Sequence, residues 1–251
     1  MKIDLSETSV IIHFRKDSED RLFNLKTILT YFDTFFNVGE LIVINDDACV
    51  DPCIVNLKKE FPNFIYKFFR NDGIYKRCLC FNKMAKIAKC PIVMFYDTDV
   101  LVKPEFLKIS EDLILTGRVD HIYPYNGLFV NIWKPAFEHF LPNFNFKYLE
   151  NCLKDRTLGY NNEFVEVIHD KSVGGLLMFS NEKFEKIGGY NENFLGWGGE
   201  DVDICNRSYK VNRVLKIPDI DAICWHLHHN NTVRTENPHY KDNLKIMFGV
   251  K

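Results

Sequence analysis

The sequence is poor in the features that assign a chain by composition alone. Neither sign of charge dominates: 32 Lys and Arg stand against 34 Asp and Glu, a net −2, which argues against a general nucleic-acid binder. The longest apolar runs fall well short of the roughly 20 residues that span a bilayer. Met1-Lys2-Ile3-Asp4-Leu5 leads straight into a polar turn and a strand, with no leader pattern, so a soluble cytoplasmic protein is expected. The eight cysteines are scattered, with no C-x-x-C pair, which argues against a zinc site built from them and for reduced, mostly buried thiols. Internal repeats, linkers and low-complexity stretches are also missing. What remains is a chain of 251 residues, 46% hydrophobic, able to bury a full core.

Apolar runs and helical periodicities alternate through the first hundred residues. Ser9 to Phe14, Glu40 to Asn45, Asn63 to Phe69 and Pro91 to Tyr96 read as buried strands. Between them, Leu22 to Phe32, Val55 to Phe61 and Tyr75 to Ala88 read as helices. This alternation predicts an α/β fold with a mostly parallel central sheet covered by helices on both faces. Lys103 to Asp170 is less regular. Within it His121 to Asn131 reads as a strand pair or a loop, and the aromatic run from Phe137 to Tyr148 as core. Gly174 to Phe179, Arg213 to Ile217 and Asp221 to Trp225 read as later strands. Asn181 to Ile187, Glu200 to Lys210 and Pro238 to Phe248 read as helices.

In parallel sheets, ligands bind beyond the carboxyl ends of the strands. Arg15, the pair Asp46-Asp47 and the triplet Asp97-Thr98-Asp99 all fall at such ends. Two carboxylates one residue apart at a strand end suit a hard divalent cation. His226 and His228, two apart in an extended segment, would share a face and could meet one metal, while His229 would point away. Arg15 and Arg77 are candidates for a diphosphate. The most unusual run is Gly188 to Asp203. In it Gly196-Trp197-Gly198-Gly199 precedes Glu200, Asp201 and Asp203 at a helix start. The helix dipole alone favours such carboxylates. A ring in a glycine loop beside them also fits a stacking platform next to a general base.

These motifs together resemble a glycosyltransferase of the nucleotide-diphospho-sugar (GT-A) fold, and specifically the β-1,4-galactosyltransferase family. Ile12-His13-Phe14-Arg15 with Glu19 to Leu22 resembles that family's first strand and nucleotide-binding turn. Ile74-Tyr75-Lys76-Arg77 resembles its nucleotide-contacting helix start, and Asp97-Thr98-Asp99 its metal motif. Val173-Gly174-Gly175 through Tyr190 and Gly196 to Asp201 resemble its glycine runs, with Leu195 where the family has Trp. His226-Leu227-His228 resembles the metal ligands of the xylose-directed branch.

The resemblance implies a Mn²⁺-dependent inverting transferase that moves a hexose from a UDP-sugar to a glycan hydroxyl. Asp99, His226 and His228 would hold Mn²⁺. Phe14, Arg15, Arg77, Asp97 and Gly175 would line the donor site. Asp46, with Asp47 second, would contact uracil, as in related bacterial sugar transferases. Asp201 would be the base, with Glu200 orienting the acceptor and Trp197 stacking on it. Ser172, where the family often carries Tyr, leaves room for an N-acetyl group, so the hexose is galactose or N-acetylgalactosamine. One domain is expected over residues 1–251, with a nucleotide-binding half in 1–100 and an acceptor-binding and catalytic half in 101–251. The alternatives are a retaining polypeptide N-acetylgalactosaminyltransferase-like enzyme, a non-catalytic sugar-binding relative, and a metal-dependent hydrolase or nucleotidyltransferase.

Overall fold

A computed structural model describes residues 1–229 and 237–249. Its first half follows the expected alternation: β1 (Ile3–Phe14), α1 (Glu19–Phe35), β2 (Phe36–Asp47), α2 (Pro52–Glu60), β3 (Ile65–Arg70), α3 (Arg77–Ala85) and β4 (Ile92–Tyr96). The helix starts are written locally. Ser18 caps α1 by accepting from the Arg21 N–H at 3.2 Å, and Asp51 caps α2 by accepting from Cys53, with Pro52 in its first turn. α3 is shorter than expected: Tyr75 lies in the loop before it, so Arg77 stands at the helix start.

The second half continues with β5 (Val100–Leu101), α4 (Pro104–Leu115), β6 (His121–Tyr123), β7 (Phe129–Ile132), α5 (Phe137–Phe140), α6 (Phe146–Cys152) and β8 (Val165–His169). Then follow β9 (Leu176–Ser180), α7 (Asn181–Lys186), α8 (Glu200–Tyr209), β10 (Val214–Lys216), β11 (Cys224–Leu227) and α9 (Tyr240–Phe248). The stretch 121–131 holds two strands, but β6 and β7 enter different sheets and do not pair with each other. The main sheet runs β10-β6-β9-β4-β1-β2-β3, and a smaller one, not foreseen, runs β5-β11-β7-β8.

The main sheet is mixed. β1 pairs in parallel with β2 and β4, β2 with β3, and β6 with β10, whereas β9 runs antiparallel between β4 and β6. Neighbours along β4 show that both faces are covered. Phe95 packs against Phe81 of α3, with centroids 4.9 Å apart, and Tyr96 against Phe32 of α1 at 5.1 Å. Successive strand residues point to opposite faces, so α1 and α3 lie on opposite sides. Thr8, in register with Ile92, donates to Glu111 of α4, which puts α4 on the α1 side. The aromatic residues Phe140, Phe144 and Phe146 join the one apolar cluster, as the sequence suggested.

This topology fixes where chemistry can gather. β1, β2 and β4 end side by side, with Phe14 opposite Asn45 and Ile12 opposite Tyr96. Because β9 is antiparallel, it begins at that same edge. Its entry, Gly174-Gly175, therefore lies against the end of β4, and the Asp97 N–H donates to the Gly175 carbonyl at 2.8 Å.

Candidate active site

One guanidinium organises the edge. Arg77 donates from Nη2 to Asp97 Oδ1 at 2.7 Å, and from Nη1 to Asp201 Oδ1 at 2.9 Å and Glu200 Oε1 at 3.2 Å. Its own charge is held in place by the faces of Phe81 and Tyr190, 4.9 and 6.0 Å from the guanidinium carbon. Arg77, expected to face a diphosphate, instead clamps three carboxylates from β4 and α8. Glu200 is buried, and both its oxygens are taken, the second by the Gly198 N–H at 2.9 Å. It shapes the glycine loop more than it faces outward. Asp201 and Asp97 keep 22% and 33% of their side chains exposed, so these two present oxygen to solvent.

Asp201 has little room. A Cβ on Gly174 would fall 2.7 Å from Asp201 Oδ2, so glycine is required for the carboxylate to lie against the β9 entry. Removal from water raises the Asp201 carboxyl to about 7, against the lowering pull of Arg77 and with the push of Glu200 and Asp97. Burial also raises Asp97 above the ordinary carboxylate value, Arg77 opposing it. A carboxylate with its pKa near neutrality can take up a proton from a hydroxyl at working pH.

Trp197 is 36% exposed and stacks on Tyr240 of α9, with centroids 5.8 Å apart and planes 12° apart. Its loop is clipped from the far side. Asn237 donates to the Trp197 carbonyl at 2.7 Å, and Asn243 both accepts from the Leu195 N–H and donates to its carbonyl. A side chain on Gly198 would strike the Tyr240 ring at 2.8 Å.

Two residues along from Asp97, a second cluster forms. The ligand atoms of Asp99, His226 and His229 lie within 4.8 Å of one another. His229 Nε2 is 3.0 Å from Asp99 Oδ2, and His226 Nε2 is 3.9 Å from Asp99 Oδ1. His228, expected as the second imidazole, packs its ring on Trp133 at 4.6 Å instead. The reason is that β11 ends at Leu227, so the alternation that placed His226 and His228 on one face stops before it reaches them both. The donor set fits a divalent cation: one carboxylate and two imidazoles, with His226 Nδ1 held by Asn131 Oδ1 at 2.9 Å so that Nε2 is turned to the cluster. Burial brings His226 down to about 4, which keeps it neutral and able to ligate. Burial would raise Asp99, but Arg21 and the two histidines outweigh it and hold the carboxylate ionised.

The remaining expected donor residues are placed differently. Phe14 is wholly buried. Arg15 donates to the carbonyls of Asp46, Asn71 and Gly73 and so ties down the 71–76 loop. Asp46, expected to touch a nucleobase, is inaccessible. Its oxygens accept from Asn71, from Arg15 and from the Lys76 N–H, with His13 Nε2 at 3.3 Å. Asp47, half-buried, is the outward carboxylate of that strand end. Sequence reasoning gave Arg21 no role of its own beyond its place in the stretch likened to a nucleotide-binding turn, and missed Asn131 and the Asn237–Asn243 clip. Only Arg21 left a signal: a cation in the first turn of a helix stands where the helix dipole disfavours it.

Known proteins resemble this chain in fold and over one segment. The family model described as the N-terminal domain of galactosyltransferase matches residues 157–230. Beta-1,4-galactosyltransferase 4 of Rattus norvegicus and of Mus musculus is 37% identical over 51 residues, 20% of this chain and 15% of the relative. The matched stretch is thus a small part of those proteins. Among solved structures, S. aureus TarS 1-349 in complex with UDP-GlcNAc superposes with a TM-score of 0.59 at 14% identity, over 96% of this chain and 65% of that one. The mannosyltransferase PcManGT from Pyrobaculum calidifontis, in complex with GDP-Man and Mn²⁺, gives 0.50 at 16% identity, over 91% and 59%. The fold is that of the GT-A glycosyltransferases. Within that class, the chain is galactosyltransferase-like in the segment that carries the Trp197 loop, Asp201 and the histidines.

Proposed function

We propose that this protein is a divalent-metal-dependent, inverting glycosyltransferase that moves galactose or N-acetylgalactosamine from a UDP-sugar to a glycan hydroxyl. The observation that carries the reading is the juxtaposition of a near-neutral carboxylate, Asp201, with the Asp99–His226–His229 cluster through the single turn 97–99. Neither set alone specifies transfer. Together they supply a base for the nucleophile and a place for the leaving group, and no covalent intermediate is required. A cation bound by Asp99, His226 and His229 supplies the positive charge that a departing diphosphate needs.

The chain's own residues do the rest. Trp197 offers a flat apolar face to an acceptor sugar. Asp201, aimed by Arg77 and backed by Gly174, takes the proton of the acceptor hydroxyl. Asp97 faces the donor from the same guanidinium. The wall beyond is the 172–175 turn, where Tyr125 Oη donates to the Gly174 carbonyl at 2.6 Å and the Gly174 N–H donates to Ser172 Oγ at 3.3 Å. The small Ser172 favours a donor with a substituent at C2. In this reading residues 1–100 form the nucleotide half and 101–251 the acceptor and catalytic half of one domain.

The test is UDP release with Mn²⁺ across UDP-Gal, UDP-GalNAc, UDP-Glc, UDP-GlcNAc and UDP-Xyl against a panel of glycosides, with the anomeric configuration of the product read by NMR. Acceptor-dependent release with inversion is expected. Release without acceptor would point to a hydrolase, and a retained configuration would end the base assignment. The cluster is checked separately by Mn²⁺ titration calorimetry in the presence of UDP. His229→Ala is expected to weaken Mn²⁺ binding by at least about 100-fold, beyond what outer contacts to a metal ligand contribute. His228→Ala should change it by less than about threefold. A large loss in His228→Ala with little change in His229→Ala would restore the ligand set read from the sequence.

A further inference from the structure

The metal cluster already holds a cation, and it is the protein's own. Arg21 Nη1 donates to Asp99 Oδ2 at 2.5 Å and lies 3.5 Å from His229 Nε2. Those two atoms are themselves 3.0 Å apart, and both belong to the three-residue ligand set. A divalent cation sits about 2.0–2.5 Å from its carboxylate and imidazole ligands. A cation that reached both atoms from the side of Nη1 would occupy the ground that Nη1 now holds. Beside an ionised Asp99, His229 Nε2 carries the proton of the 3.0 Å contact, so it becomes a metal ligand only once that contact is given up. Two positive charges sharing one buried carboxylate would also repel each other strongly.

Arg21 differs from the other arginines of the site. Arg15 is fixed by carbonyls on several sides, and Arg77 by three carboxylates. Among the described residues, Arg21 makes its contacts from Nη1, and its buried Nε has no hydrogen-bond partner. It projects from the first turn of α1, where Ser18 bonds its backbone N–H and the dipole opposes its charge. Among the described residues its one ion pair is with Asp99.

We propose that Arg21 is a displaceable internal cation: it neutralises Asp99 while no metal is bound, gives way when metal enters, and then pairs with the donor diphosphate. The inference rests on the reading of the cluster as a metal site. It has two consequences. Metal alone binds weakly, because it must first separate Arg21 from Asp99. Metal and nucleotide help each other, because the displaced guanidinium finds new anionic oxygens only when the diphosphate is present, and this coupling is reciprocal.

The experiment is Mn²⁺ binding by calorimetry or EPR, with and without UDP, for the wild type, Arg21→Gln and Arg21→Lys. Arg21→Gln should bind Mn²⁺ alone about 10-fold more tightly than the wild type, and the tightening produced by UDP should shrink to a factor near one. Arg21→Lys, which keeps the charge on a shorter reach, should fall between the two. If both variants bind Mn²⁺ alone no more tightly than the wild type, the proposal is wrong while the metal site stands. If the wild type fails to bind Mn²⁺ even with UDP, the metal reading itself has failed, and this inference with it.

Discussion

Asp201→Asn should lower turnover by about 10²- to 10⁴-fold, the range that a positioned proton acceptor contributes, while Mn²⁺ and UDP binding stay close to wild type. The substitution keeps the shape of the side chain and one oxygen for Arg77, so the clamp and the Gly174 contact survive. What is lost is the proton acceptor. The wild-type pH profile follows from the same carboxylate. Its pKa is raised by burial to about 7, so below that value it is mostly protonated and cannot accept. The apparent kcat/KM should therefore rise about tenfold per pH unit up to that region and level off above it. In Asp201→Asn this limb should vanish. Near-normal turnover in the variant, or a wild-type profile flat between pH 5 and 8, would move the base elsewhere.

Arg77→Gln should cost the fold about 3–5 kcal/mol, the usual consequence of removing one partner from a buried ionic group. The arginine is 6% exposed, and Asp97, Asp201 and Glu200 all depend on it. In a chain of this length each kcal/mol lowers Tm by about 2–4 °C. A fall of roughly 6–20 °C follows, measurable by calorimetry. The loss should be smaller at pH 5 than at pH 8. Asp97 and Asp201 already sit above their ordinary values, and without Arg77 they rise further. A carboxyl whose folded pKa exceeds its unfolded one contributes stability at low pH that disappears as pH rises through the folded value. A Tm within about 2 °C of wild type would show that Arg77 is a ligand-binding arginine and not the clamp.

The fold was most legible where strands are buried on both faces. Val10 to Ile12, Leu41 to Ile44 and Ile92 to Tyr96 are unbroken apolar runs, and polar residues follow each of them toward the strand's carboxyl edge. The small sheet was illegible for the opposite reason. β5 has two residues, and β6 and β7 are brief strands divided between sheets by contacts far away in sequence. The candidate site was legible as a set of residue types but not as a set of partners. Asp97, Asp99, Glu200, Asp201 and His226 do come together around Arg77 and the β11 end. No local pattern could show that Asp46 would turn inward to His13, or that the strand would stop at Leu227 and so present His229 in place of His228. Side-chain alternation is a rule about regular backbone, and functional residues cluster where regular backbone ends.

The Trp197 loop borrows its shape from residues some forty positions later. Its carbonyls and ring are held by Asn237, Tyr240 and Asn243, while the loop itself supplies glycines that fit around them. During synthesis the sheet edge, Arg77 and Asp201 can be in place before that later stretch leaves the ribosome. A nascent chain at that stage would carry the proposed base and lack the proposed stacking surface. Under the proposed function, commitment to an acceptor would be deferred until α9 docks, and a chain cut ahead of Asn237 would keep the sheet and lose the supports of the Trp197 loop.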